Sequence, residues 1–246
     1  MKLTSALTAI TALLSSTGAL AAGKIEVEVR YSKEMIDVGN LDLFMATWQK
    51  IYATDGNGRA VVTDNTYGAF GGGCMSHYDG PDNNARVIVN GAWGRVPGLG
   101  PHDSREALVQ ALWGVLKAVS DPTAWDVFTK CYGLTWQEGQ PIWSNSRRPA
   151  CGGGKFHTVR PTCLCSMGSA ACENFSVGHR VPSIIKANLY RDGRLLADSL
   201  TVQFSAQRVV KDDGCKTVNT IAGLFGGLLP GPAALFASGI SVFCGA

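Results

Sequence analysis

The clearest hydrophobic pattern of the chain lies between Asp103 and Val119. Apolar residues recur there every three or four positions, at Ala107, Leu108, Ala111, Leu112, Val115, Leu116 and Val119. This period places them on one face of an amphipathic helix. Asp103 and Glu106 have the spacing of a capping box, so we expect the helix to begin at Asp103.

Two further helices are predicted from the same kind of pattern. Asp121 is a favourable N-cap, and Pro122 suits the first helical position because proline lacks the N–H that the first turn leaves unpaired. The residues that this helix would carry are Trp125, Val127, Phe128 and Cys131. A shorter amphipathic helix is indicated from Leu43 to Tyr52. The helices starting at Asp103 and Asp121 form the predicted two-helix core.

Strict alternation of apolar and polar residues predicts strands elsewhere. Lys24–Tyr31 has this pattern, and Ala85–Trp93 is a second predicted strand, with Val87, Val89 and Trp93 on one side. Asp192-Gly193 separates the β-prone runs 184–190 and 195–204, which favours a β-hairpin. The residues expected to face the core are Val87, Val89, Trp93, Leu200, Val202 and Phe204. Since no repeat or linker divides residues 22–246, we predict a single α+β domain with antiparallel strands.

The first 21 residues have the pattern of a secretory signal peptide. Lys2 is followed by the apolar stretch Leu3–Leu14 and by small residues at 19–21. We therefore expect a secreted, extracellular protein. The formal net charge of the whole chain is only +3, which provides no basic patch for nucleic acid.

Cysteine usage agrees with an extracellular protein. The eight cysteines are Cys74, Cys131, Cys151, Cys163, Cys165, Cys172, Cys215 and Cys244. An even number behind a signal peptide predicts a framework of disulfides, of which we predict one pair, Cys215–Cys244. Four of the cysteines fall in the Pro-, Gly- and Ser-rich region 139–180, which we expect to be an irregular, disulfide-held loop. It contains the glycosylation sequon at Asn174.

The C-terminal segment 215–244 has an unusual composition. No charged residue follows Lys216, and two apolar arms meet at Pro230-Gly231-Pro232. We interpret it as an apolar hairpin closed by the Cys215–Cys244 disulfide. Three roles stay open: arms packed in the core, a signal for a glycolipid (GPI) anchor cleaved at Gly214, or a hairpin that contacts a membrane.

Candidate catalytic residues are few. His77 and Asp79 lie between a glycine-rich loop and a polar turn, and such a pair can serve general acid–base chemistry. The chain has no G-x-S-x-G nucleophile motif and no H-E-x-x-H zinc motif. We predict no metal site and no cofactor.

These observations favour a non-enzymatic secreted protein. In composition the chain resembles the cysteine-containing secreted proteins that microbes, fungi especially, use as effectors, toxins or wall-associated virulence factors. We expect an effector or toxin-like monomer that binds a protein or glycan target or contacts a membrane. The alternatives are a secreted hydrolase with His77 and Asp79 in its site, and a GPI-anchored cell-surface protein.

Overall fold

The computed structural model describes residues 24–53, 58–72, 74–76, 80–131, 164–165, 168–169, 172–207, 209–210, 215 and 240–245. These residues form a mixed α+β structure that is mostly sheet. Residues 1–21 and the greater part of the region 139–180 lie outside the described residues. So do His77 and Asp79.

The strands, in chain order, are β1 (Ile25–Tyr31), β2 (Met35–Gly39), β3 (Ala60–Ala69), β4 (Cys74–Ser76), β5 (Asn83–Ala92), β6 (Trp125–Cys131), β7 (Leu164–Cys165), β8 (Gly168–Ser169), β9 (Cys172–Pro182), β10 (Ile184–Arg191), β11 (Arg194–Ser205), β12 (Val209–Val210) and β13 (Ile240–Cys244). The helices are α1 (Gln49–Tyr52), which continues a π-helical turn at Phe44–Trp48, and α2 (Pro101–Ser120), which a 3-10 turn at Asp121–Thr123 follows. Among the described helices, none combines the length and apolar character that crossing a membrane requires.

The larger sheet has six strands in the order β13-β1-β10-β11-β5-β3. Neighbours are antiparallel except β13, which runs parallel to β1. One face is buried and the other is solvated, as alternation in β11 shows: Leu200, Val202 and Phe204 are buried, whereas Gln203 and Ser205 are exposed. The predicted inward positions of this strand are confirmed.

Helix α2 covers the buried face of this sheet, where it packs on β1, β10 and β11, and it also contacts β9. Its apolar stripe is the predicted one and is fully buried: Ala107, Leu108, Ala111, Leu112, Val115, Leu116 and Val119. These side chains meet those of β1 and β10, among them Val29 and Leu189, in one core. The periodic helix is therefore confirmed.

The start of α2 differs from the prediction. The N-cap is Gly100, with no side-chain cap, and Pro101 occupies the first helical position. Asp103 therefore lies in the first turn, where its charge faces the positive end of the helix dipole. Glu106 accepts a hydrogen bond from Tyr52 instead of closing a capping box. Because proline fixes a helical φ, the helix begins at Pro101, two residues before Asp103.

The predicted second core helix is wrong. Asp121–Thr123 forms only a 3-10 turn, and Trp125–Cys131 is strand β6. β6 pairs with β9 on one side and with β4 on the other. Aromatic and β-branched residues suit such a central strand, and pairing on both sides outweighs the local start signal.

The second sheet has five strands in the order β12-β2-β9-β6-β4. Its long strand β9 corrects the expectation that the whole region 139–180 is irregular. Residues 172–178 pair with β6, and residues 179–182 pair with β2. Asn174 consequently lies in a strand, opposite Thr129, and not in a loop.

Other strand predictions are confirmed. The patterns at 24–31 and 85–93 correspond to β1 and β5. β10 and β11 form the expected hairpin, whose turn places Asp192 and Gly193 at φ 49 and 74. The C-terminal segment ends in strand β13, and Cys215 and Cys244 form a disulfide with a Cα–Cα distance of 5.4 Å. The apolar arms between these two ends lie outside the described residues.

Candidate functional site

An open cleft of about 360 Å³ lies between α2, strand β9 and the segment that follows β2. One wall is the segment Asn40–Phe44, which connects β2 to the π-helical turn. The second wall is the C-terminal half of α2, from Trp113 to Asp121. The third is β9 near His179. We call this depression the His179 cleft.

The first wall is held in place by a sharp turn after β2. Gly39 has a φ of 58, and a Cβ there would lie 2.5 Å from the carbonyl oxygen of Phe70. The side chain of Asn40 accepts a hydrogen bond from the Phe70 N–H (2.7 Å) and donates one to Ser176 Oγ (2.9 Å). Asn40 therefore ties the first wall to β9.

The segment 44–52 carries exposed apolar side chains, of which Phe44 lines the cleft. The Asp42 carboxylate accepts a hydrogen bond from the Met45 N–H (3.0 Å) at the start of the turn. Phe44, Met45 and Tyr52 are 53%, 41% and 41% exposed, and they are three of the six large hydrophobic side chains that are exposed in the described part of the chain. Half of these side chains are thus concentrated on one nine-residue segment. Short π-helical turns and exposed apolar patches are both features that recur at binding sites.

Helix α2 supplies an ion pair and an aromatic ring. Lys117 Nζ lies 2.7 Å from Asp121 Oδ2, at the i,i+4 spacing of one helical face. Trp113 meets the buried Trp48 edge-on, with ring centroids 4.6 Å apart. This contact fixes the Trp113 ring at the cleft wall.

His179 is the cleft's titratable group near neutral pH. Burial lowers the pKa of its half-buried imidazole, and the nearby charge of Asp121 and a hydrogen bond to the main chain of Ser120 oppose this effect. The imidazole is therefore neutral at pH 7. The β2–β9 ladder shifts register between Asp37 and Gly39, beside this residue, and such irregularities redirect side chains.

Two polar atoms of the cleft residues have unmade hydrogen bonds. His179 Nδ1 and Ser120 Oγ are both buried without a partner. Each such atom costs about 1–3 kcal/mol relative to a satisfied one. At these two atoms the hydrogen-bonding capacity of the cleft residues is unused.

The charged and titratable groups of the cleft interact with other groups of the protein. The Asp121 carboxylate is paired with Lys117, and the histidine bonds to the main chain, so the cleft lacks a histidine–carboxylate hydrogen bond. Within the described ranges, no group of three or more His, Cys, Asp or Glu side chains could hold a metal ion.

None of the sequence-predicted site residues that the structure describes lines this cleft. The backbone of Cys74, Cys131, Cys165 and Cys172 lies in β4, β6, β7 and β9. Cys151 and Cys163 lie outside the described residues, as His77 and Asp79 do, so the hydrolase hypothesis stays a prediction. His179 and Lys117 were not among the site residues predicted from sequence. The i,i+4 spacing of Lys117 and Asp121 predicts their ion pair but not the cleft.

No protein-family model, no curated protein and no solved structure matches this chain. The site must therefore be interpreted from its own chemistry.

Proposed function

We propose that the protein is a secreted, non-enzymatic binding protein, effector or toxin-like in character, which holds its target in the His179 cleft. The observation that carries this proposal is the open cleft with exposed Phe44 in its wall, next to exposed Met45 in the chain. Aromatic and methionine side chains are enriched at the centres of binding interfaces. Leaving them in water is unfavourable unless a partner covers them.

The charged groups at the rim of the cleft favour a polar partner in contact with water over a membrane. Asp42, Lys117 and Asp121 stand beside the apolar side chains, and the last two are exposed to 60% and 50%. Burying these charges in a bilayer would be expensive. A polar partner in contact with water leaves them solvated.

Two features support an extracellular location. The N-terminal pattern predicts a signal peptide. The Cys215–Cys244 disulfide belongs to proteins of oxidising compartments. GPI anchoring at Gly214 stays a prediction, which mass spectrometry of the mature C-terminus would test: a peptide that contains Cys244 would argue against cleavage.

Site-specific cross-linking tests the proposed function. A photoreactive benzoylphenylalanine replaces Phe44. A second variant carries it at Leu195, which is 61% exposed, belongs to the six-stranded sheet and does not line the cleft. Both are irradiated with cell-surface and cell-wall material. We expect adducts at position 44 that excess unlabelled protein suppresses and that excess Phe44→Ala protein does not.

The control decides the outcome. Equal, unsuppressed labelling from positions 44 and 195 would refute binding through the cleft. Leakage of anionic lipid vesicles that the Phe44→Ala variant no longer causes would instead assign the segment to membrane contact.

A further inference from the structure

We infer that the His179 cleft binds an uncharged carbohydrate through one or two of its sugar rings. This inference rests on the proposed function and adds the ligand class to it. It follows from three properties of the cleft: its aromatic wall, its hydrogen-bonding groups and its charge.

The aromatic wall fits the apolar face of a sugar ring. Phe44 is 53% exposed at the cleft, and Trp113 lies on the facing helix, with its ring held by Trp48. The C–H groups on one face of a pyranose pack against such rings, while its hydroxyls stay at the edge. A pyranose thus combines an apolar face with neutral hydrogen-bonding groups.

The hydrogen-bonding groups fit hydroxyls, which both donate and accept. Asp42, Lys117 and Asp121 offer acceptors and a donor at the rim. Ser120 Oγ and His179 Nδ1 need a donor or acceptor that the protein does not supply. Because both atoms are covered, a hydroxyl reaches them only if cleft side chains move aside on binding.

The charge of the cleft disfavours an anionic ligand. Lys117 and Asp121 neutralise each other at 2.7 Å, and His179 is neutral because burial lowers its pKa. Asp42 is then the remaining formal charge of the cleft residues. A phosphate or carboxylate would meet a net negative site without a free cation.

The size of the cleft limits how much of the ligand it covers. Pockets that enclose a drug-sized ligand measure about 300–1,000 Å³. At about 360 Å³, the cleft has room for one or two sugar rings, while the rest of an oligosaccharide would lie outside it.

The test is an NMR titration of the full protein with laminaritriose, mannotriose, chitotriose and galactotriose. Inorganic phosphate and a polyglutamate peptide serve as anionic comparisons. We expect one of the neutral sugars to give saturable shifts of the Trp113 indole N–H and the His179 imidazole. Phe44→Ala should weaken this binding about tenfold, the equivalent of one lost aromatic contact, and Leu195→Ala should not change it.

Each result decides between the interpretations. If no neutral sugar shifts these resonances, or if Phe44→Ala binds as tightly as wild type, the carbohydrate inference is wrong. The proposed function then survives if position 44 still cross-links specifically to a protein. If cross-linking at position 44 also fails, both are wrong. Saturable shifts with phosphate or polyglutamate alone would overturn the assignment of a neutral ligand.

Discussion

A single buried carboxylate connects three parts of the fold. Asp198 of β11 is fully buried and accepts hydrogen bonds from the N–H groups of Gly94 (2.7 Å) and Arg95 (3.0 Å) and from the Ser104 hydroxyl. The first two follow β5, and Ser104 lies in the first turn of α2. These donors compensate for the cost of burying the charge. Asp198 thereby fixes where α2 begins relative to the sheet.

Removing this carboxylate should destabilise the protein strongly. We expect Asp198→Ala to lower the free energy of unfolding by about 3–5 kcal/mol, because a buried hydroxyl and two partly buried N–H groups lose their acceptor. Urea denaturation measures the change. The matched control is Asp64→Ala, which removes an exposed carboxylate paired with Arg86 and should cost less than about 1 kcal/mol. Equal effects of the two substitutions would contradict this role of Asp198.

The lowered pKa of His179 predicts how stability depends on pH. The unfolded chain takes up a proton near the ordinary pKa of about 6.5, whereas the folded protein resists it because the imidazole is buried. The unfolded state therefore binds more protons below that pH, and the free energy of unfolding should fall as the pH falls from about 6.5 through the folded pKa. The nearby Asp121 reduces this effect and Lys117 increases it.

The substitution His179→Gln isolates this contribution. In this variant the free energy of unfolding should fall less between pH 6.5 and the lower pKa of folded His179. Denaturation at a series of pH values measures the difference. Parallel curves for wild type and His179→Gln would show that His179 does not resist protonation.

At the scale of elements, the contact between β6 and β9 depends on a glycine. The two strands pair with Trp125 opposite Gly178. A Cβ at Gly178 would overlap the indole ring of Trp125, whose Nε1 donates to the Gly71 carbonyl oxygen at 3.3 Å. The ring thus occupies the space that any other residue at position 178 would need.

Gly178→Ala should therefore displace the ring. We expect a loss of about 1–3 kcal/mol in the free energy of unfolding, as for other overpacked sites, together with a changed tryptophan fluorescence. Gly80→Ala is the control, since a Cβ there meets nothing within 4 Å, and it should be close to neutral. A Gly178→Ala protein as stable as wild type would mean that Trp125 is free to move.

Elements with one buried face could be predicted from sequence, and others could not. Helix α2 and strands β1, β5, β10 and β11 each show the period of an element that buries one side. β2 is buried at all five positions, so it has no alternation to detect. β6 follows a strong helix-start signal, yet its partners are far away in sequence. Tertiary pairing outweighs local preference there.

The candidate site could not be predicted for a related reason. Its walls come from residues near 42, 117 and 179, which only the folded sheets and helix bring together. Lys117 and Asp121 read as an ordinary surface pair on a helix, and His179 sits in a region whose cysteines predict a loop. The predicted catalytic candidates were instead His77 and Asp79, which are close in sequence.

At the scale of the whole molecule, the C-terminal strand is held to the sheet in two ways. β13 pairs with β1, and Arg30 of β1 lies over the Phe243 ring at 4.9 Å. The disulfide adds a covalent bond between Cys244 and Cys215. The edge of the six-stranded sheet is thus closed by chain that is distant in sequence.

Removing the disulfide should loosen this edge first. The double variant Cys215→Ser/Cys244→Ser opens a loop with a sequence separation of 29, which corresponds to about 3–4 kcal/mol in the free energy of unfolding. Hydrogen exchange should accelerate in β13 and β1 while the amides of α2 stay protected. Faster exchange in α2 than in β13 would contradict an edge held mainly by the disulfide.

The position of β1 also has a consequence for biogenesis. Both of its neighbours, β10 and β13, emerge late: Glu28 and Tyr190, which share a hydrogen bond, are 162 positions apart. A ribosome would deliver β1 long before either neighbour exists, so the larger sheet cannot close until β10 and β13 have been synthesised. Formation of this sheet should then be slow, because its pairings join parts of the chain that are far apart in sequence.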